Sequence, residues 1–76
     1  NGIGTLKDYK KGMTWIRKAA EAGNAAAQSD LGYIYASGKA GVLKDMNKAK
    51  HWIEKGHTNG DPKAKEYWDK YELGKY

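Results

Sequence analysis

The chain repeats itself with an offset of 37 positions. When GTLKDYKKGMTWIRKAAEAGNAAAQ (4–28) is placed over GVLKDMNKAKHWIEKGHTNGDPKAK (41–65), ten of the 25 aligned positions are identical. A period between about 20 and 50 residues is typical of solenoid proteins, in which one unit cannot bury its apolar face without a neighbour. We therefore expect a single repeat domain over 1–76, with one unit at 4–40 and a second at 41–76.

Each unit has the pattern of two helices joined by a short turn. Asp8 and Asp45 precede residues with helical periodicity, where a carboxylate can cap a helix by accepting from free backbone N–H groups. Gly23 and Gly60 stand where this periodicity stops, and glycine readily adopts the positive φ common just after a helix. The predicted helices cover about 9–22, 25–37, 46–59 and 62–73, with Asn24 and Asp61 as further caps.

Apolar and small side chains recur every three or four residues in each predicted helix, which is the spacing of a buried face. Gly32 lies within such a stripe, and glycine there costs about 1 kcal/mol relative to alanine, so it predicts a close approach of another helix. Gly12 and Gly56 also predict a close approach of another helix. The residues expected in the core are Trp15, Ile16, Ala19, Ala20, Ala27, Leu31, Ile34, Tyr35, Ala49, Trp52, Ile53, Ala64, Tyr67, Trp68 and Tyr71.

The composition argues against several kinds of chemistry. Without cysteine the chain has no disulfide, thiolate zinc site or cysteine nucleophile. His51 and His57 are six positions apart, about 240° around a helix, and so cannot share a metal ion. No spacing assembles a nucleophile, a base and an orienting group, so we expect no catalytic, cofactor-binding or metal site. No apolar run approaches the ~20 residues of a membrane span.

The residues of the repeat resemble the motif of the Sel-one-like repeats (SLR), relatives of the tetratricopeptide repeat. The second unit departs from the motif in its last helix, where Lys65, Trp68, Asp69 and Glu72 replace glutamine, leucine, glycine and tyrosine. A more polar last helix suits a solvent-facing cap. The first unit matches at Asp8, Lys11, Trp15, Lys18, Ala19, Ala20, Glu21, Gly23, Ala27, Gln28, Leu31, Gly32, Tyr35, Gly38, Gly41 and Val42, and the second at Asp45, Lys48, Ala49, Trp52, Lys55, Gly60 and Ala64.

The resemblance implies an all-α fold, a right-handed α-solenoid of two antiparallel helical hairpins. It also implies a protein-interaction module, an adaptor or scaffold that presents a concave helical surface to a peptide or partner protein. Because SLR arrays usually contain more units, the resemblance suggests the C-terminal piece of a longer array. It further suggests a bacterial protein of the cytoplasm or periplasm.

In the tetratricopeptide relatives the first helix of each unit lines the concave surface. Equivalent, variable positions on that helix are therefore the predicted partner contacts: Tyr9, Met13 and Arg17 in the first unit, with Met46, Lys50 and Glu54 in the second.

Three alternatives remain open at this stage. The net charge of +5 allows a basic surface that binds nucleic acid or another polyanion, although arginine, the commonest base-contacting residue, occurs only once. The chain can also be a non-catalytic segment of a larger multidomain protein. Self-association through the exposed face of the first unit is the third alternative.

Overall fold

The described residues of the chain form four α-helices and a short 3-10 turn. A computed structural model describes the backbone of residues 2–39 and 41–76 and the side chains of 11–39 and 41–76. Within this part of the chain there is no β-strand, which confirms the predicted all-α fold. The elements are α1 (Gly2–Glu21), α2 (Ala25–Ser37), α3 (Met46–Thr58), α4 (Lys63–Lys70) and a 3-10 turn (Leu73–Lys75).

The boundaries of α2 and α3 follow the predicted capping residues. The Asn24 side chain accepts a hydrogen bond from Ala27 N at 3.0 Å, and the Asp45 carboxylate accepts one from Lys48 N at 3.0 Å. Each bond satisfies a backbone donor that has no partner within its helix. Gly23 and Gly60 adopt φ values of 100° and 99°, as expected at the turns after the first and third helices.

The first helix begins earlier than predicted. Because α1 extends from Gly2 to Glu21, Asp8 lies within a helix and is not its N-cap. The residues before Asp8 contain no proline, and the glycines there cost only about 1 kcal/mol each, which a continuing helix tolerates. Of the predicted partner contacts, the side chain of Tyr9 lies outside the described residues.

The last helix is shorter than predicted. It begins at Lys63, and no side chain caps it; Asp61 instead accepts a hydrogen bond from Ala64 N through its main-chain oxygen at 3.3 Å. The helix ends at Lys70, and Glu72 then adopts a left-handed conformation with φ of 51°. This reversal places Leu73 in the 3-10 turn, where its side chain is fully buried.

The tightest packing joins α2 to α3, where each helix contributes a glycine. A Cβ atom on Gly32 would lie 3.0 Å from the Ala49 carbonyl oxygen and would also collide with Ile53. On α3, a Cβ atom on Gly56 would collide with Ser29. The two backbones therefore approach closely at two points, which confirms the prediction for Gly32 and for Gly56.

The core lies between α2 and the helices on either side of it. Its buried apolar residues are Met13, Ala20, Ala27, Leu31, Tyr35, Ala36, Ala49, Ile53, Ala64 and Leu73. The prediction was less accurate for the larger side chains, since Trp52, Tyr67, Trp68 and Tyr71 are only half-buried against this core.

Trp15 is 75% exposed, so its predicted burial is wrong. It is on the apolar stripe of α1, but no described element covers that part of the helix. Met13 shows the opposite difference between prediction and structure. It was predicted to lie on the partner-binding face, but it is buried and only 8% exposed. Helical periodicity identifies apolar faces, but it does not say which face is covered by the same chain.

Candidate protein-interaction surface

One face of α3 borders a groove between the two units that the sequence predicts, 4–40 and 41–76, and we call it the inter-repeat groove. Four α3 residues at helical spacing, His51, Glu54, Lys55 and Thr58, line one side of it. The C-terminal end of α1 and the start of α2 form the other side. The groove has a volume of about 570 Å³, and its remaining lining residues are Ala20, Glu21, Gly23, Gln28 and Asn59.

Gln28 forms the polar floor of the inter-repeat groove. Its side-chain nitrogen donates to the Ala20 carbonyl oxygen at 3.0 Å, and its side-chain oxygen accepts from Asn59 Nδ2 at 2.7 Å. Gln28 is buried, and a buried amide is costly unless its donors and acceptor are paired. These two bonds connect the end of α1 to the end of α3 through α2, and so fix the width of the groove.

The rim of the inter-repeat groove carries charges of both signs. Glu21 and Glu54 supply carboxylates, and Lys55 supplies an ammonium group. The Lys55 ammonium lies 5.3 Å from the centre of the Trp52 ring, and the His51 ring meets the same indole edge-on at 5.3 Å. Because an aromatic face attracts a cation, half-buried Trp52 orients the Lys55 side chain at the rim, and it contacts His51 as an edge-to-face aromatic pair.

A second groove lies on the opposite side of Glu54, between α3 and α4, and we call it the α3–α4 groove. Its apolar residues are Ile53, Ala64 and Trp68. It has a volume of about 630 Å³, and its other lining residues are Lys50, Glu54, His57, Thr58, Lys65 and Asp69.

The structure describes the side chains of five of the six predicted partner contacts, all except Tyr9. Glu54 lines both grooves, Lys50 lines only the α3–α4 groove, and Arg17 is exposed on α1. Met13 and Met46 pack against the core. That these positions contact a partner remains a prediction.

The sequence analysis did not select Lys55, Thr58 and Asn59, which line the inter-repeat groove beside His51 and Glu54. The predicted face stepped by four residues, from Met46 to Lys50 to Glu54, and each step of four rotates about 40° around a helix. The groove instead follows a stripe with spacings of three and four, starting at His51. The sequence did contain a signal for this stripe, a lysine three residues after a tryptophan. The pair occurs at Trp52 and Lys55 and again at Trp15 and Lys18.

Among the described side chains, the groups with shifted pKa values lie on α2, on α4 and at Tyr71 just after α4, outside both grooves. Burial raises the pKa of Asp30; the nearby Lys63 ammonium lowers it, and the Asp61 carboxylate raises it further. A hydrogen bond with Lys39 lowers the pKa of the Tyr33 hydroxyl. Tyr33 stacks on Tyr67 with ring centres 5.0 Å apart, which joins α2 to α4. These interactions connect the second helices of the two units.

Two further findings concern ions and membranes. Among the described side chains, no group of three or more histidine, aspartate or glutamate residues could hold a metal ion. None of the described helices combines the length and apolarity needed to span a bilayer.

Comparison with protein families gives two adjacent matches. The family model of the Sel1 repeat matches residues 1–24 and 25–61. The second matched segment contains α2 and α3, the two helices that pack most closely. Neither the curated proteins nor the solved structures include a significant match.

Proposed function

Because the chain belongs to the Sel1 repeat family, we propose that it is a protein-interaction module that binds a peptide segment of a partner in the inter-repeat groove. Sel1 repeats generally mediate protein–protein interactions, and the family is a repeat scaffold rather than a catalytic type. The observation that carries the proposal is the stripe of His51, Glu54, Lys55 and Thr58 over the polar floor made by Gln28.

The chemistry of the inter-repeat groove suits a polar peptide of mixed charge. Glu54 and Glu21 can pair with basic side chains of a peptide, and Lys55 with acidic ones. Thr58 and Asn59 offer hydrogen-bonding groups to a peptide main chain, which presents both N–H and C=O groups. Trp52 and the Gln28 bonds hold this rim in place before binding, which lowers the entropic cost of association.

The polyanion alternative has less support from this surface. The rim carries Glu21 and Glu54 beside its single lysine, so phosphates would be repelled there as well as attracted. The exposed lysines outside the groove alternate with carboxylates along α4, as at Lys65, Glu66, Asp69 and Lys70. A positive net charge therefore does not produce a continuous basic face on α4.

Selection from a random peptide library tests the proposal. We expect the chain to select peptides of mixed charge, and Glu54→Lys or Lys55→Glu to weaken their binding about tenfold or more, measured by calorimetry. Lys44→Glu is the matched control, because Lys44 is exposed on the connection between units and lies outside both grooves. Circular dichroism checks that all variants remain helical.

Two results would contradict the proposal. One is that the selected peptides bind equally well to the Lys55→Glu and Lys44→Glu variants. The other is that no peptide is selected while mixed-sequence oligonucleotides bind with a steep dependence on salt concentration.

A further inference from the structure

The α3–α4 groove is the repeat equivalent of a surface that is already an interface within this chain. Three residues of this groove have repeat equivalents on α2, 37 positions earlier in the chain. Ala64 corresponds to Ala27, Trp68 to Leu31, and Asp69 to Gly32. Those three α2 residues are buried, and α3 packs directly over Gly32. In the second unit no described element takes the place of α3, and the groove of about 630 Å³ is open.

The opposite end of the molecule displays the matching helix face. Trp15 on α1 is the equivalent of Trp52 on α3, but it is exposed whereas Trp52 is half-buried. Gly12 is the equivalent of Ala49, the residue that packs over Gly32, and a Cβ atom on Gly12 would meet nothing within 4 Å. The part of α1 around Gly12 and Trp15 is therefore open, although Ile16 and Ala19 of the same helix pack against the core.

The sizes of the residues at the centre of these two surfaces are complementary. In the α2–α3 contact the smaller residue, Gly32, is on the receiving helix, and Ala49 is on the incoming helix. At the equivalent point of the α3–α4 groove the receiving residue is Asp69, and the equivalent incoming residue is Gly12. In this second case the glycine is on the incoming helix. A helix like α1 therefore leaves room for the larger side chain of Asp69 on the receiving helix.

The charges of the two surfaces are also complementary. Three buried positions of α2 have acidic equivalents in the second unit. Glu66 corresponds to Ser29, Asp69 to Gly32, and Glu72 to Tyr35. Of these three exposed carboxylates, Glu66 and Asp69 are on α4, and Glu72 follows the helix and pairs with Lys75 at 3.2 Å. Along α1 the sequence has five basic residues, Lys7, Lys10, Lys11, Arg17 and Lys18, against the acidic Asp8 and Glu21.

We infer that the α3–α4 groove receives the α1 helix of a second copy of this chain. Trp15 of the incoming copy packs at the groove, and Gly12 lies over Asp69. This surface shares Glu54 and Thr58 with the inter-repeat groove of the proposed function, but the residues that carry the inference, Gly12, Trp15 and Asp69, do not line that groove. The contact is heterologous, so each added copy presents another open groove, and association continues in one direction without closing.

Sedimentation over a wide range of protein concentrations tests the inference. We expect the weight-average mass to rise beyond that of a dimer without reaching a plateau, and to fall when salt is added, since salt screens the pairing of α1 with the acidic side of α4. Trp15→Ala and Asp69→Lys should each weaken association about tenfold or more. Leu43→Ala is the control, because Leu43 is an exposed apolar residue outside both surfaces.

Mixing the two variants distinguishes head-to-tail contact from a symmetric one. Trp15→Ala retains an intact groove, and Asp69→Lys retains an intact α1 face, so an equimolar mixture should form a 1:1 dimer although each variant alone is monomeric. Both substituted residues are exposed, and circular dichroism checks that the variants fold. A wild-type chain that remains monomeric at all concentrations would overturn the inference, as would a closed dimer insensitive to Asp69→Lys.

Discussion

At the scale of single residues, glycine has opposite consequences at two helical positions. Gly32 of α2 lies against the backbone of α3, with the Ala49 carbonyl oxygen 3.0 Å from where a Cβ atom would be. Gly12 of α1 has open space at the same point. Both glycines carry the same cost in helix propensity, about 1 kcal/mol relative to alanine. Only the close approach at Gly32 compensates for that cost within the described chain.

Substitution of these glycines should therefore change stability in opposite directions. Gly32→Ala should destabilise the fold by about 1 to 3 kcal/mol, because the added methyl group forces α3 away from α2. Gly12→Ala should stabilise it by up to about 1 kcal/mol through helix propensity alone. Urea denaturation at low protein concentration measures both changes. If Gly32→Ala stabilised the chain as much as Gly12→Ala does, the close approach of α2 and α3 would be refuted.

At the scale of secondary-structure elements, the C-terminal 3-10 turn joins α3 to α4. Leu73 of this turn is fully buried, and Lys50 of α3 donates a hydrogen bond to the Tyr76 carbonyl oxygen. The sequence predicted a continuous helix to about residue 73. The helix instead ends at Lys70, and the chain reverses through Glu72, so that Leu73 reaches the core from a different direction.

Leu73→Ala should release this turn and destabilise the fold by about 2 to 5 kcal/mol, because it removes a fully buried side chain and leaves a cavity. Leu43→Ala provides the comparison, since Leu43 is 89% exposed and its substitution should change the free energy of unfolding by no more than about 0.5 kcal/mol. Thermal denaturation followed by circular dichroism gives both values. Equal effects of the two substitutions would show that the turn does not pack as described.

At the scale of the whole molecule, the contacts between the second helices of the two units make stability depend on pH. Asp30 of α2 lies near Asp61 and Lys63 at the start of α4. Burial is the main reason that its pKa is raised above 3.8, so the folded chain binds a proton at Asp30 more readily than the unfolded chain does. The contribution of Asp30 to stability is therefore greatest at acid pH and is lost as the pH rises through the folded-state pKa.

Asp30→Asn removes this ionisation and should raise the melting temperature slightly at neutral pH. The difference from wild type should shrink as the pH falls below 3.8, because the aspartate then becomes protonated in both states. Lys63→Ala in the same background provides a second measurement. Without that lysine the pKa of Asp30 should rise further, so the gain from Asp30→Asn at neutral pH should increase. A gain that is constant across the pH range would contradict this account.

Much of the architecture follows from local signals in the sequence. The repeat of 37 residues predicted two units, and the caps at Asn24 and Asp45 marked the starts of α2 and α3 because they satisfy backbone donors within three residues. Gly32 indicated a close helix contact because its cost in the helix required compensation. These features depend on neighbouring residues or on the repeat, and both can be seen in the sequence alone.

Only the tertiary structure decided which apolar and polar faces are covered. Trp15 and Trp52 occupy equivalent positions, yet one is exposed and the other half-buried, because α1 lacks a described neighbour where α3 has α2. In the same way, Gln28 and Asn59 meet across 31 positions of sequence to fix the inter-repeat groove. Burial and long-range hydrogen bonds depend on how helices pack against one another, and helical periodicity does not contain that information.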